Sequence, residues 1–187
     1  MTSAGEQYVA AWARLGELAA ETPGPAWDEP SPCAGWNARQ VAGHLVDGER
    51  QVRALLGART PLAPVTDPAV LAELGVDSVA ALREAAQRVR TTVEALDPDA
   101  SVETPHGRLG VEQFLFMALI EPVVHGWDLS TATGRPLTLD DEAVAMLLDG
   151  IERLGHQLAA TGMYAPALPV RNDASPVERL LAAVGRG

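Results

Sequence analysis

The sequence predicts an all-α protein built around a four-helix bundle, with extra helices toward its C-terminus. Apolar residues recur at intervals of three and four over several long stretches, the spacing of an amphipathic helix. Strong helix formers (Ala, Leu, Glu and Arg) are dense throughout, and runs of β-branched residues are scarce. The chain has 187 residues, a length that suits one domain, so we expect a single domain over residues 1–187.

The first two helices are predicted on either side of a long loop. Helix one should span about residues 3–21, and the Pro- and Gly-rich segment 22–36 should form the loop. Helix two should begin after Asn37, which can cap it together with Gln40 in a capping box. One position of its apolar stripe is a histidine, since the stripe contains Val41, His44 or Leu45, Gly48, Val52 and Leu55.

Two further helices are predicted in the middle of the chain. A short helical piece at residues 68–75 should precede helix three at about residues 78–96. The apolar positions of helix three alternate by four and three, the pattern of a bundle seam. The next segment, residues 97–110, should form a loop.

The C-terminal part is also predicted to be helical. Helix four should span about residues 111–133 and stop at Gly134, a typical C-terminal residue of a helix. Helix five should span about residues 139–161 with Thr138 as its N-cap. A last short helix should form at residues 175–185 and pack back on the rest.

Composition and charge exclude several classes of function. The net charge is −11, which repels nucleic-acid phosphates and disfavours anionic membranes, so we expect neither partner. No apolar run approaches the ~20 residues that span a bilayer, and the N-terminus lacks the pattern of a signal peptide. The single cysteine, Cys33, allows no internal disulfide, which is typical of a reducing compartment. We therefore expect a cytoplasmic protein, and its bundle edges are compatible with a homodimer.

Helix four contains a pair of residues that could bind a metal. Glu121 and His125 are four apart and share one face of the helix, which Asp128 extends. His44 lies on the buried stripe of helix two, and a bundle brings such stripes together. Two imidazoles and one carboxylate suit Zn²⁺, Ni²⁺ or Fe²⁺ and leave a coordination position open, as at catalytic sites.

Ordinary structural roles compete with this interpretation, and spacing alone favours them. A lone histidine on an apolar face, such as His44, is more often a core residue than a ligand. Glu121 on a helix is more often solvated or salt-bridged. Asp128 can pair with an arginine such as Arg39, or it can support a metal-binding histidine from behind, which is the role we prefer.

Pro122 breaks a rule of helix formation next to the candidate ligand Glu121. It removes the backbone hydrogen bond to the carbonyl of Ala118 and should kink helix four. Departures from local rules are expected at functional sites, which favours a site here. The alternative is a kink without function.

The remaining reactive or aromatic residues are assigned mostly structural roles. Cys33 lies just before a helix N-terminus, where thiolates are stabilised, but most single cysteines are inert. Trp36 and Trp127 are expected to pack. His106 and His156 lack partners at ligand spacing and are expected to be structural.

Three segments together resemble a known family: PSPCAGWNARQVAGHLV, EPVVHGWDLSTATG and ASPVERLLAAVGR. They resemble the DinB-like, mycothiol-dependent maleylpyruvate isomerase N-terminal family, in particular its single-domain metal-binding branch. The resemblance implies a DinB-like four-helix bundle with a divalent metal, usually zinc or nickel. It places the metal ligands on His44, Glu121 and His125, and it implies mycothiol as a thiol co-substrate.

Two departures from the family pattern affect the expected function. Pro122 is unusual directly after the glutamate ligand and can shift its geometry. The two-domain isomerases of the family have a further C-terminal domain that contributes to substrate binding, and we expect none here. Maleylpyruvate is therefore not the expected substrate.

Three functions remain open from the sequence. The first is a metal-dependent S-transferase or isomerase that uses a mycothiol-type thiol and a small electrophilic substrate. The second is a hydrolase that uses metal-bound water, with Asp47 or Asp128 as the base. The third is a bundle that binds a metal or small ligand without catalysis.

Overall fold

The structure is a computed structural model that describes residues 2–57, 59–105, 107–154 and 164–187. The chain forms two compact units, one of residues 2–137 and one of residues 138–187, and each is described by itself. The expectation of a single domain stays a prediction. The structural roles expected for His106 and His156 lie outside the described residues.

The N-terminal unit is a four-helix bundle with an added helix. Helix α1 packs against α4 and α5, α2 packs against the same two helices, and α3 packs on α2. The predicted fold class is therefore confirmed. The helices are α1 (Ala4–Glu21), α2 (Ala38–Leu56), α3 (Pro68–Leu74), α4 (Ser78–Glu94) and α5 (Val111–Thr133), and a 3₁₀ helix lies at Gly24–Asp28.

Burial of the apolar stripes holds this unit together. Apolar burial contributes about 25 cal/mol per Å² and is the main favourable energy of such a core. The stripes of all four bundle helices contribute side chains that are almost completely buried, among them Trp12, Leu15, Leu45, Leu82, Leu115, Leu119 and Leu129.

The ends of α2 and α5 form as the sequence predicts. The Asn37 side chain accepts a hydrogen bond from the Gln40 N–H (2.9 Å), and the Gln40 side chain accepts one from the Asn37 N–H (2.9 Å). Helix α5 ends at Gly134, whose φ of 66° lies in the left-handed region that glycine adopts without strain. The predicted start of α2 and the predicted end of α5 are therefore both confirmed.

Two glycines let α3 and its end approach the start of α2. A Cβ atom on Gly43 would overlap the carbonyl oxygen of Leu71, and one on Gly75 would overlap the carbonyl oxygen of Arg39. Because the two backbones touch, neither position has room for a side chain. Gly43 directly precedes His44, so this contact also fixes the position of His44.

The segment predicted as a loop at residues 97–110 contains a β-hairpin, and that prediction is wrong. Strands β1 (Ser101–Thr104) and β2 (Gly107–Gly110) pair antiparallel. Val102 is buried at the centre of β1. A four-residue strand with one buried apolar residue is too short to show an alternating pattern in the sequence.

In the described part of the C-terminal unit, two helices pack together: α6 (Asp141–Leu154) and α7 (Pro176–Ala183). The extension of α6 toward residue 161, which the sequence predicts, lies outside the described residues. The last short helix is confirmed, and Ser175 caps it in a capping box with Glu178.

The predicted N-cap of α6 is wrong by two residues. The carboxylate of Asp140, rather than the hydroxyl of Thr138, accepts hydrogen bonds from the N–H groups of Glu142 (3.0 Å) and Ala143 (3.3 Å). Asp and Thr are both good caps, so sequence preference alone does not choose between them. Among the described helices, none is long and apolar enough to cross a membrane.

Candidate metal centre

The three residues predicted as metal ligands lie together between α2 and α5. Nε2 of His44 is 2.9 Å from Oε2 of Glu121, and Nε2 of His125 is 3.4 Å from the same oxygen. One potential ligand atom from each residue lies within 4.8 Å of the others. The structure thus brings the predicted set together, and metal binding by it stays a prediction.

The two helices explain this arrangement. Glu121 and His125 are one turn apart on α5, so their side chains point the same way. His44 reaches them from α2, whose N-terminal capping box and close contact at Gly43 fix its register. Helix α5 continues through Pro122 from Val111 to Thr133, and the predicted kink stays a prediction.

The cluster is buried on one side and accessible on the other. The side chain of His125 is 9% exposed, whereas those of His44 and Glu121 are 29% and 30% exposed. His44 and Glu121 therefore form the solvent-exposed side of the cluster. His125 forms the inner wall.

Asp128 holds His125 from the buried side. Its Oδ2 lies 2.9 Å from Nδ1 of His125, and its side chain is fully buried. A carboxylate that binds one ring nitrogen of a histidine orients the other nitrogen and makes it a better ligand. The preferred prediction for Asp128 matches this contact.

Arg39, named as one possible partner of Asp128, makes other contacts. Arg39 donates from Nε to the carboxylate of Asp28 (3.0 Å) and from a terminal nitrogen to the carbonyl oxygen of Val76 (2.8 Å). Asp28 ends the 3₁₀ helix, which the sequence analysis treated as loop. Arg39 therefore ties that helix and the segment after α3 to α2, which favours a structural role.

Charge in the cluster is tightly coupled. Burial by itself raises the pKa of Glu121, but hydrogen bonds and charge from His125 and His44 outweigh it and hold the pKa well below its ordinary value. Burial by itself lowers the pKa of His125, but Asp128 and Glu121 outweigh it and raise the pKa to about 9. The protein thus holds a carboxylate and an imidazolium in contact, an arrangement in which a cation can replace the proton.

The donor set fits a divalent metal. Around a tetrahedral ion with bonds of about 2.0–2.1 Å, neighbouring nitrogen and oxygen ligands lie roughly 3.3 Å apart. The two nitrogen–oxygen separations of 2.9 and 3.4 Å bracket this value. Two imidazoles and a carboxylate suit zinc and nickel, and Asp128 supplies the supporting contact that such sites need.

Trp36 is a part of the site that the sequence analysis missed. Its ring centroid lies 5.0 Å from that of His44 and 6.5 Å from that of His125, and the two histidine rings are 4.9 Å apart. From the sequence, Trp36 is expected only to pack. The available signal was its position, at the end of the long loop and directly before the capping residue Asn37.

A short closed turn presents Trp36 to the histidines. A β-bridge joins Pro30 to Asn37, the Ser31 N–H donates to the carbonyl of Trp36 (3.0 Å), and the Trp36 N–H donates to the carbonyl of Cys33 (3.0 Å). The Ser31 hydroxyl accepts a hydrogen bond from the Cys33 N–H (3.2 Å). The turn therefore fixes the positions of both Trp36 and Cys33.

Cys33 lies next to the buried side of the cluster. Potential ligand atoms of Cys33, His125 and Asp128 all lie within 4.8 Å of one another, and the cysteine is half-buried. His125 thus belongs to two groups, one with His44 and Glu121 and the other with Cys33 and Asp128.

Asp47, one of the two predicted bases, has a different environment. Its buried carboxylate accepts hydrogen bonds from Arg50 (2.8 Å), from the side chain of Gln51 (2.6 Å) and from the N–H of Val65 (2.9 Å). These contacts tie the segment before α3 to α2. They favour a structural role for Asp47 over that of a base.

Comparison with known proteins identifies the family. A family model described as "Mycothiol maleylpyruvate isomerase N-terminal domain" matches residues 8–130. The chain belongs to this family. The matched segment contains His44, Glu121, His125 and Asp128, so the whole candidate centre lies within the mycothiol maleylpyruvate isomerase N-terminal domain.

Two mycobacterial proteins are similar in sequence. They are "Uncharacterized protein MT0763" of Mycobacterium tuberculosis (strain CDC 1551 / Oshkosh) and "Uncharacterized protein Rv0738" of Mycobacterium tuberculosis (strain ATCC 25618 / H37Rv). Each is 29% identical over 161 residues, which cover 84% of this chain and 83% of the relative. Neither name states an activity.

Two solved structures are similar in fold. They are crystal structures of the mycothiol-dependent maleylpyruvate isomerase and of a mutant of it, with TM-scores of 0.53. Sequence identities are 18% and 17%, and the alignments cover 81% of this chain and 72% of the other. At these identities the likeness concerns the fold, and it confirms the DinB-like helical bundle expected from the sequence.

Proposed function

We propose that this protein is a divalent-metal-dependent thiol S-transferase or isomerase that uses a mycothiol-type thiol and a small electrophilic substrate. One observation carries the proposal: His44, Glu121 and His125 converge on one point, and Asp128 supports His125 from behind. The family name and the names of the similar structures support a thiol co-substrate. Zinc and nickel suit the donor set best.

Four residues of the chain would form the metal site. His44 and His125 would each offer Nε2, and Glu121 would offer a carboxylate oxygen. Asp128 would keep the Nδ1 proton of His125 in place, so that Nε2 offers its lone pair. A bound divalent ion would act as a Lewis acid that lowers the pKa of a thiol at its open position.

Trp36 would shape the accessible side of the site. Its ring lies beside the rings of both histidines, 5.0 and 6.5 Å away between centroids, and would offer an apolar surface next to the open position. An electrophile with a conjugated double bond can lie against such a surface. The thiol sulfur would add to the double bond, rotation would follow, and elimination would return the thiol and the isomerised product.

The environment of the two predicted bases favours a thiol over water as the nucleophile. Hydrolysis needs a base beside the metal-bound water. The carboxylate of Asp47 already accepts three hydrogen bonds from other residues, and the fully buried Asp128 is bonded to His125. A metal-dependent hydrolase is therefore the second interpretation, and thiol-independent turnover of esters or amides would favour it.

The first experiment tests the metal. We would measure the metal content of untagged protein by elemental analysis, for the wild type and for His44→Ala and Glu121→Ala. Glu17→Ala, which removes an exposed carboxylate of α1, is the matched control. We expect nearly one equivalent of zinc or nickel in the wild type and the control, and loss in both site variants. A wild type that holds no metal and takes up no added zinc would contradict the proposal.

The second experiment tests the thiol. The metal-loaded protein would be incubated with a set of activated alkenes, epoxides and halides. Each incubation would be run once with mycothiol and once without it. We expect turnover that needs both the thiol and His44. Turnover without the thiol would indicate a hydrolase, and a metal-loaded protein without turnover on any substrate would indicate a binding protein.

A further inference from the structure

Cys33 has no part in the proposed reaction, although the fold places it beside His125 and Asp128. One potential ligand atom from each of these three residues lies within 4.8 Å of the other two. Neither His44 nor Glu121 belongs to this group. Cys33 thus shares His125 with the first group but meets it together with Asp128 instead of His44 and Glu121.

We propose that Cys33, His125 and Asp128 form a second cation position that takes thiophilic ions such as Cd²⁺. A thiolate, an imidazole and a carboxylate are all metal ligands, and the thiolate selects soft ions over hard ones. The group of Cys33, His125 and Asp128 thus contains a sulfur ligand, whereas the group of His44, Glu121 and His125 contains none. The two positions would share His125 through its two ring nitrogens.

The geometry allows this with small movements. Nδ1 of His125 and Oδ2 of Asp128 are 2.9 Å apart, and two ligands of a zinc-sized ion are roughly 3.3 Å apart when their bonds are about 2.0–2.1 Å. A larger thiophilic ion such as Cd²⁺ would need these two atoms to move further apart. The ion would replace the proton between these two atoms. The closed turn holds the backbone of Cys33 through Ser31, and its thiol already lies within 4.8 Å of a potential ligand atom of each of the other two residues.

The shared histidine makes the two positions antagonistic. A neutral imidazole has one nitrogen lone pair, so His125 can serve one ion at a time. A thiophilic ion at the second position would also take Asp128 away from its supporting contact. Soft metals would then weaken binding at the first position without occupying it.

The single cysteine permits a direct test. We would titrate metal-free, untagged protein with Cd²⁺ and follow the ultraviolet charge-transfer absorption of a thiolate bound to cadmium, which only Cys33 can give. The band should saturate at one equivalent in the wild type and in His44→Ala, and it should vanish in Cys33→Ser. In Asp128→Asn the affinity should fall by at least about tenfold. Asp28→Asn, which removes an exposed carboxylate, is the matched control and should match the wild type.

The outcomes separate this inference from the proposed function. Because His44 belongs only to the first group, a band that survives in His44→Ala reports the second position alone. Absence of the band in folded wild-type protein would overturn the inference and leave the first site untouched. So would a band of unchanged affinity in both Asp128→Asn and His125→Ala, since the thiol would then act without its neighbours.

Discussion

At the scale of single residues, His125 is the centre of the site because both of its ring nitrogens have an acidic partner. Nδ1 contacts the buried Asp128, and Nε2 contacts the partly exposed Glu121. A ring held at both ends loses little freedom when it binds an ion. Removal of either partner should therefore affect metal binding more than removal of an exposed acid.

We expect Asp128→Asn to weaken zinc binding by about 10- to 100-fold, because an amide no longer orients and polarises the ring of His125 as a carboxylate does. Competition with a chromophoric chelator would measure the change. Glu17→Gln, which changes an exposed acid on α1, should leave the affinity unaltered. An unchanged affinity in Asp128→Asn would show that His125 needs no support.

The coupled pKa values predict how the metal-free protein responds to pH. The raised pKa of His125, about 9 against an ordinary 6.5, contributes stability that is fully present below pH 6.5 and is lost as pH rises through 9. The lowered pKa of Glu121 contributes stability that is present above pH 4.5 and is lost as pH falls. Urea unfolding should thus show a decline from pH 6.5 to 9, and His125→Gln should flatten it. Parallel declines in both proteins would contradict this origin.

The residue scale also shows what the sequence contained and what it lacked. The spacing of Glu121 and His125 on one helix is visible in the sequence because a helix has a fixed period. The contact between Trp36 and the histidines is not visible, since it depends on the path of a turn with no periodic pattern. The partner of Arg39 was missed for the same reason. Asp28 lies in a 3₁₀ helix, which has no recognisable pattern in the sequence.

At the scale of elements, helix α2 is held in place by contacts along its whole length. Its N-terminus is capped by Asn37, and its next turn touches the backbone of α3 through Gly43. Further along, its buried Glu49 accepts hydrogen bonds from Arg53 (3.0 Å) and from Arg88 of α4 (3.2 Å). The apolar stripe and capping box of α2 were predictable, whereas its contact with α3 depends on the packing of two helices.

Replacement by alanine should have opposite effects on stability at two glycines of α2, Gly43 and Gly48. Gly43→Ala should lower the free energy of unfolding by about 1–3 kcal/mol or more, because the new Cβ overlaps the carbonyl of Leu71. Gly48→Ala should raise it by about 0.5–1 kcal/mol, since no atom lies within 4 Å of its Cβ and alanine favours the helix. Urea unfolding of both variants would measure the difference. Equal effects would show that α3 does not touch α2 as described.

At the scale of the whole molecule, the chain combines a strong negative charge with a site that attracts cations. The net charge of −11 raises the local concentration of divalent ions near the protein. This attraction is screened by salt over about 10 Å at 0.1 M ionic strength. The same charge is the reason why nucleic acid is not expected as a partner.

Zinc should stabilise the folded protein as a whole. An ion that binds only the native state adds about 2.7 kcal/mol at 100 times its Kd, so the thermal midpoint should rise with zinc concentration. The metal-free wild type would be scanned with and without zinc, beside His44→Ala. An equal shift in that variant would place the zinc elsewhere on the acidic surface.

The closed turn from Pro30 to Asn37 has a consequence for the energetics of ligand capture. Its β-bridge and internal hydrogen bonds already order the backbone that presents Trp36 and Cys33. A loop that is ordered before the ligand arrives loses little conformational entropy on binding, so more of the contact energy appears as affinity. Substrate capture by this protein should therefore involve a small entropic penalty and little rearrangement of the turn.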